Sequence, residues 1–149
     1  MSAVEPQPVA LLDDLGIAEL LRTSRRIAVV GASSRPDRPS NGVFHSLLRA
    51  GYQCVPVNPR ETVVAGIPAV ATLAEAAAAL GGQIDIVDVF RRPELTEEVA
   101  REAVAVGARA LWLQLGVVNW ETARIAAEGG LAVVMDRCTA IEIHRVPRI

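Results

Sequence analysis

The sequence predicts an α/β protein, a doubly wound, mostly parallel sheet of five strands with helices on both faces. Three observations carry this expectation. Five short runs, at 27–30, 53–57, 84–90, 110–115 and 131–135, are apolar almost throughout, as in strands covered on both sides. The stretches between them show helical spacing, N-terminal caps and glycine stops. Strand and helix alternate at lengths suited to parallel βαβ units.

The first helix is expected over 12–22, where Leu12, Leu15, Leu20 and Leu21 repeat at helical intervals and Asp13 and Asp14 suit the positive N-terminal end. Strand 27–30 ends at Gly31, and a helix over 42–49 is stopped by Gly51. Strand 53–57 closes in the turn Asn58-Pro59-Arg60. Thr72 and Glu75 form a capping box, opening an alanine-rich helix that halts at Gly81-Gly82. After strand 84–90, Pro93 stands where a helix can begin, with Glu94, Glu97 and Glu98 in its first turns and Gly107 at its end. Asn119 caps the helix after strand 110–115, and a short last helix is expected over 139–144. The expected organisation is a loose lead-in and packed helix at 1–23, then one domain over 24–149. The order of the strands is not readable from this pattern.

Composition narrows the function. The chain has 149 residues, 51% hydrophobic and 21% charged, which suits a globular core. No apolar run approaches the ~20 residues of a membrane helix, and MSAVEPQPVA lacks the basic start and apolar centre of a secretory signal. Two cysteines, Cys54 and Cys138, make no disulfide framework and point to a reducing, cytoplasmic setting. A net charge of -2, with no aromatic stripe among arginines, argues against a nucleic-acid partner. All 15 basic residues are arginine. A Walker-type or Schiff-base lysine is therefore excluded, and any phosphate must be held by arginines, backbone N–H groups and helix N-termini.

In sheets of this kind, ligands lie beyond the carboxyl ends of the strands, where the strand order reverses. The five ends here are Gly31-Ala32-Ser33, Asn58-Pro59-Arg60, Phe90-Arg91-Arg92-Pro93, Gln114-Leu115-Gly116 and Asp136-Arg137-Cys138. The stretch VVGASSRPDRPSNGVF, from residue 29, looks like a phosphate-binding turn whose glycine spacing has been lengthened. Gly31 is followed by Ala32-Ser33-Ser34, and the next glycine is Gly42. The insert carries Arg35, Arg38, Ser40 and two prolines, which supply anion donors on a stiffened loop. At the second strand end a dinucleotide site places an acidic residue for a ribose hydroxyl. This chain has Asn58-Pro59-Arg60, which suits a phosphorylated ribose, so NADP and coenzyme A both fit and NAD fits worse.

The segments VVGASSRPDRPSNGV, GYQCVPVNPR, VDVFRRPE, ALWLQLGVVN and VVMDRC together resemble the stand-alone CoA-binding domain family. That family is related to the N-terminal CoA-binding domain of the succinyl-CoA synthetase α subunit, and the resemblance spans about 24–145. It implies a Rossmann-like fold with coenzyme A lying across the strand ends. Gly31, Ala32 and Ser33 would then line the pyrophosphate turn, completed by Arg38, Ser40 and Asn41. Asn58, Pro59 and Arg60 would meet the adenosine and its 3′-phosphate. Phe90, Arg91 and Pro93 would flank adenine and pantetheine, and Gln114, Leu115, Gly116 and Cys138 would lie within reach of the outer pantetheine arm. The synthetase also needs a second domain with a phosphorylated histidine and an ATP-grasp partner chain. Neither has a counterpart in these 149 residues, so its ligase reaction is not carried over.

No catalyst stands out. Cys138 lies at a strand end beside Arg137, whose charge would favour a thiolate able to form a mixed disulfide with CoA; a half-buried structural cysteine is the favoured reading. Cys54 reads as core. His45 sits one turn into a helix, and His144 near the chain end. Two histidines and two separated cysteines offer no zinc motif, and Ser33-Ser34 is no nucleophile elbow. Asp85 and Asp88, three apart on one strand, face opposite ways and make no acid–base pair. Asp136 is expected to pair with Arg137, and Trp112 and Trp120 to pack a sheet or cap an interface. The favoured reading is a non-catalytic CoA or acyl-CoA binding protein acting as carrier, sensor or accessory domain. The alternatives are an NADP-dependent oxidoreductase-type domain and a regulatory interaction domain without ligand. A homodimer or an unknown protein partner stays open, and no membrane partner is expected.

Overall fold

The computed structural model describes residues 9–146, so residues 1–8, most of the expected lead-in, and residues 147–149 lie outside the described residues. The first helix, α1 (Asp14–Thr23), begins where Asp13 accepts a hydrogen bond from the Gly16 amide through its carboxylate, satisfying one of the free donors of the first turn. Strand β1 (Arg26–Val30) leads into α2 (Pro39–Arg49), and β2 (Gln53–Val57) follows. Helix α2 thus starts three residues before the expected Gly42. Pro39 occupies its first turn, where a missing N–H costs nothing.

Beyond β2 the chain makes a hairpin absent from the sequence reading, β3 (Val63–Val64) and β4 (Ile67–Pro68). Ala65 and Gly66 both have positive φ at its tip, the geometry of a tight two-residue turn. Helix α3 (Leu73–Leu80) carries the expected capping box, with the Glu75 amide donating to Thr72 Oγ1 and Gly81 closing it in the left-handed region. Next come β5 (Ile86–Val89), a 3-10 turn at Pro93–Leu95, α4 (Thr96–Ala105), β6 (Ala110–Leu113), α5 (Trp120–Glu128), β7 (Ala132–Val134) and α6 (Thr139–Arg145).

The main sheet is parallel throughout, in the order β2-β1-β5-β6-β7. The chain winds outward from β1 to β2, then crosses back to β5 and continues the other way. The order therefore reverses between β1 and β5, and a ligand crevice is expected there. Alternating strand residues feed two cores. Ala28, Val30, Val87, Val89, Leu111 and Leu113 face α3, α4 and α5. Ile27, Val29, Ile86, Trp112 and Val134 face α1, α2 and α6, where Ile17, Leu21, Phe44 and Leu47 are fully buried. This is the Rossmann-like three-layer arrangement. Among the described residues, no helix is long and apolar enough to cross a membrane.

Candidate functional site

At the point where the strand order reverses, the ends of β1 and β5 touch. Gly31 has φ +84°, and a Cβ added there would lie 2.2 Å from the Phe90 carbonyl oxygen. Only glycine lets β1 turn this close to β5. Above this contact opens a cavity of about 780 Å³, and beside it a second of about 480 Å³. Gly31, Asn58, Arg60 and Phe90 line both, so the two are compartments of one cleft.

The turn between β1 and α2 is held by its own small polar groups. The Ser33 amide donates to Ser40 Oγ (3.1 Å), and Asn41 Nδ2 donates to the Ser33 carbonyl (3.0 Å). Asn58 Nδ2 reaches across from the end of β2 to the Ala32 carbonyl (2.9 Å), while Asn58 Oδ1 accepts from the Arg60 amide. Glu61 accepts from the Ser34 amide at 3.0 Å. These bonds fix the backbone and leave the arginine heads outside it. Arg35 pairs with Asp37, whereas Arg38 and Arg60 are exposed and make no ion pair among the described residues.

The opposite side of the cleft, at the ends of β6 and β7, is built differently. Asp88 is fully buried in the middle of β5, facing α6. Gln114 Nε2 donates to its Oδ1 (2.5 Å) and to Thr139 Oγ1 (2.9 Å); the Thr139 hydroxyl donates to Asp88 Oδ2 (3.0 Å). Burial pushes the Asp88 carboxyl up to about 7, against the two hydrogen bonds that favour its charged form. Gln114, Leu115, Val117 and Cys138 line the cavity above this network.

Of the residues singled out in the sequence, Gly31, Ser33, Arg38, Ser40, Asn58, Arg60, Phe90, Gln114 and Cys138 line the larger compartment. Pro59 and Arg91 line the smaller one. Ala32, Asn41, Pro93 and Gly116 line neither. Ala32 and Asn41 shape the turn through the bonds above, the Pro93 carbonyl accepts from Asn119 Nδ2, and Gly116 donates its amide to Asp136 Oδ1. Arg35, Pro39, Val43, Glu61, Leu115 and Val117 also line the larger compartment. Arg35 and Leu115 stand in the stretches already quoted, while Val117 follows a strand end and was legible by position. The Asp88 network was not legible, because it depends on register.

One expectation is corrected. Asp136 does not pair with Arg137. It stands at φ +60° and holds the Gly116 amide at 2.7 Å, while Arg137 reaches Asp14 (2.7 Å) and Glu142 (3.6 Å). Adjacent residues leaving a strand point apart, so sequence neighbours are poor candidates for a pair. The Arg137 charge beside Cys138 is thereby balanced by carboxylates. His45 is exposed on α2 and lines neither compartment.

Comparison with known proteins agrees with this architecture. The CoA binding domain family matches residues 25–144. YneT of Bacillus subtilis, an uncharacterized protein, is 44% identical over 125 residues, 84% of this chain and 90% of that protein. The structure of a hypothetical protein from Pyrococcus horikoshii OT3 superposes with a TM-score of 0.85 at 35% identity, covering 97% of this chain and 99% of that one. A Rex-family repressor solved with beta-NADH reaches a TM-score of 0.52 at 15% identity, over 79% of this chain and 57% of that one, a likeness of fold alone.

Proposed function

The chain belongs to the CoA binding domain family, and on that premise we propose that its cleft binds coenzyme A or an acyl-CoA, holding it without turning it over. The observation that carries the reading is the pair of unpaired, exposed arginines, Arg38 and Arg60, flanking a cavity of about 780 Å³ at the switch point of the sheet. Guanidinium groups on a fixed turn suit the pyrophosphate and the 3′-phosphate. Arg91 and Phe90 extend the same surface into the smaller compartment, where an adenine ring would lie. The titratable groups lining the larger compartment are Arg35, Arg38, Arg60, Glu61 and Cys138, and Glu61 is already engaged by the Ser34 amide. That set favours holding an anion over moving protons. The role would be that of a carrier, sensor or accessory domain in a reducing cytoplasm.

Calorimetric titration with CoA, NADP and NAD tests the reading. Micromolar CoA binding, about -8 kcal/mol, is expected, with competition by 3′-phosphorylated rather than 2′-phosphorylated adenosine. Arg60→Ala should weaken it about tenfold without changing stability. Silence from CoA beside a clear NADP signal would overturn the proposal.

A further inference from the structure

The β6–β7 end of the cleft differs from the arginine end in ways that select what hangs from the ligand's sulfur, an inference that rests on the CoA reading above. Gln114 is only 3% exposed, and both hydrogens of its Nε2 are used by Asp88 and Thr139. Its Oε1 has no protein partner, yet no fully enclosed side-chain oxygen or nitrogen among the described residues is left unpaired. Oε1 therefore has its open side on the cavity that Gln114 lines. It is a fixed acceptor, suited to an N–H of the ligand and repelled by a carboxylate.

Among the described residues, none of those lining this end of the cavity, Gln114, Leu115, Val117 and Cys138, is a cation. Arg137, the nearest in sequence, is engaged by Asp14 and Glu142, and Arg124 on α5 by Glu121 and Glu128. The buried Asp88 carboxyl is held by Gln114 and Thr139, and the Asp136 carboxyl, at the surface, holds the Gly116 amide. The remaining surface is apolar. Leu115 lines the cavity while 64% exposed, and Val118 of the same loop and Trp120 at the start of α5 are also exposed. Leu115 and Val117 thus give an apolar lip with no charge of its own.

We propose that this end takes the acyl group of a CoA thioester, and that it admits uncharged, hydrocarbon acyl groups while rejecting dicarboxylic ones. A ligand held by Arg38 and Arg60 at the β1–β2 end, and lying across the sheet, would carry its sulfur toward Gln114 and Cys138. A hydrocarbon acyl group there covers Leu115 and Val117, and a terminal carboxylate would lose its water with no cation in return.

Titrations of CoA, butyryl-CoA and succinyl-CoA, in one buffer, test this on the wild-type protein and on Leu115→Asp. Butyryl-CoA should bind several-fold more tightly than CoA, at up to about fourfold per buried methylene. Succinyl-CoA should bind at least about tenfold more weakly than butyryl-CoA. Leu115 is on the surface, so Leu115→Asp should fold normally and lose the preference for butyryl-CoA over CoA. Equal affinities for the two thioesters, with CoA still bound, would overturn the acyl assignment and leave the CoA reading standing. No binding of CoA or either thioester would overturn both.

Discussion

At the β1–β2 end of the cleft, small polar groups satisfy one another and the charges stay in water; at the β6–β7 end, an acid is buried and the exposed surface is apolar. The turn from Gly31 to Asn41 uses serine, asparagine and backbone groups as its framework, with Arg38 and Arg60 free above it. The other end rests on Asp88, enclosed by Gln114 and Thr139. The first arrangement keeps cations available to an anion at little cost to the fold. The second orients one amide at the cost of a buried acid, whose charge state then becomes part of the protein's stability.

The largest expected effect breaks that second arrangement. The Asp88 carboxyl is raised from 3.8 to about 7 in the folded chain, chiefly by burial. Between those values the folded protein keeps a proton that the unfolded chain releases, so stability falls as pH rises from about 4 to 7 and this contribution is flat above that. The full loss is up to about 4 kcal/mol. Asp88→Asn keeps the shape and removes the titration. Urea midpoints of the two proteins, taken from pH 4 to 8, should converge at low pH and separate in favour of Asn above 7. Parallel curves would mean that the buried acid titrates normally and that the two ends do not differ in this respect.

A second substitution tests the seam between the ends. Gly31→Val combines a positive φ with a Cβ driven 2.2 Å from the Phe90 carbonyl oxygen. Left-handed strain and overpacking together should cost about 3 kcal/mol or more, and CoA binding should be lost. Gly42→Ala is its control. That glycine is inside α2 with open space at its Cβ, so alanine should stabilise by roughly 0.5–1 kcal/mol. If both variants behave alike, the approach of β1 to β5 is not the constraint proposed.

How far each end was legible in the sequence follows from what builds it. The sheet was legible because apolar runs such as 27–30 and 110–113 are buried on both faces. The arginine end was legible because its residues lie in two contiguous stretches. The hairpin at 63–68 was missed because two-residue strands show no alternation, and the start of α2 was placed late although Pro39 marked it. The Asp88 network joins residues up to 51 positions apart. Its members meet only through the parallel register that sets Asp88 beside Trp112 and brings α6 over β5, and no local pattern encodes that.

The smallest effect leaves stability unchanged and compares the two cysteines. Cys54 in β2 is buried, and burial, with a lesser push from the Asp88 charge, raises its thiol to about 12. At pH 8 only about one molecule in 10⁴ carries the thiolate there, so a maleimide or disulfide reagent should pass it over in the native protein. Cys138 is half-buried and lines the cleft. Mass spectrometry after native labelling at pH 8 should therefore find one label, on Cys138, and two after unfolding in urea. Bound CoA should slow the native reaction, because a ligand reaching from Arg60 to Gln114 covers the Cys138 sulfur. Labelling that CoA leaves untouched would confine the ligand to the arginine end, and the apolar lip at Leu115 would then need another occupant.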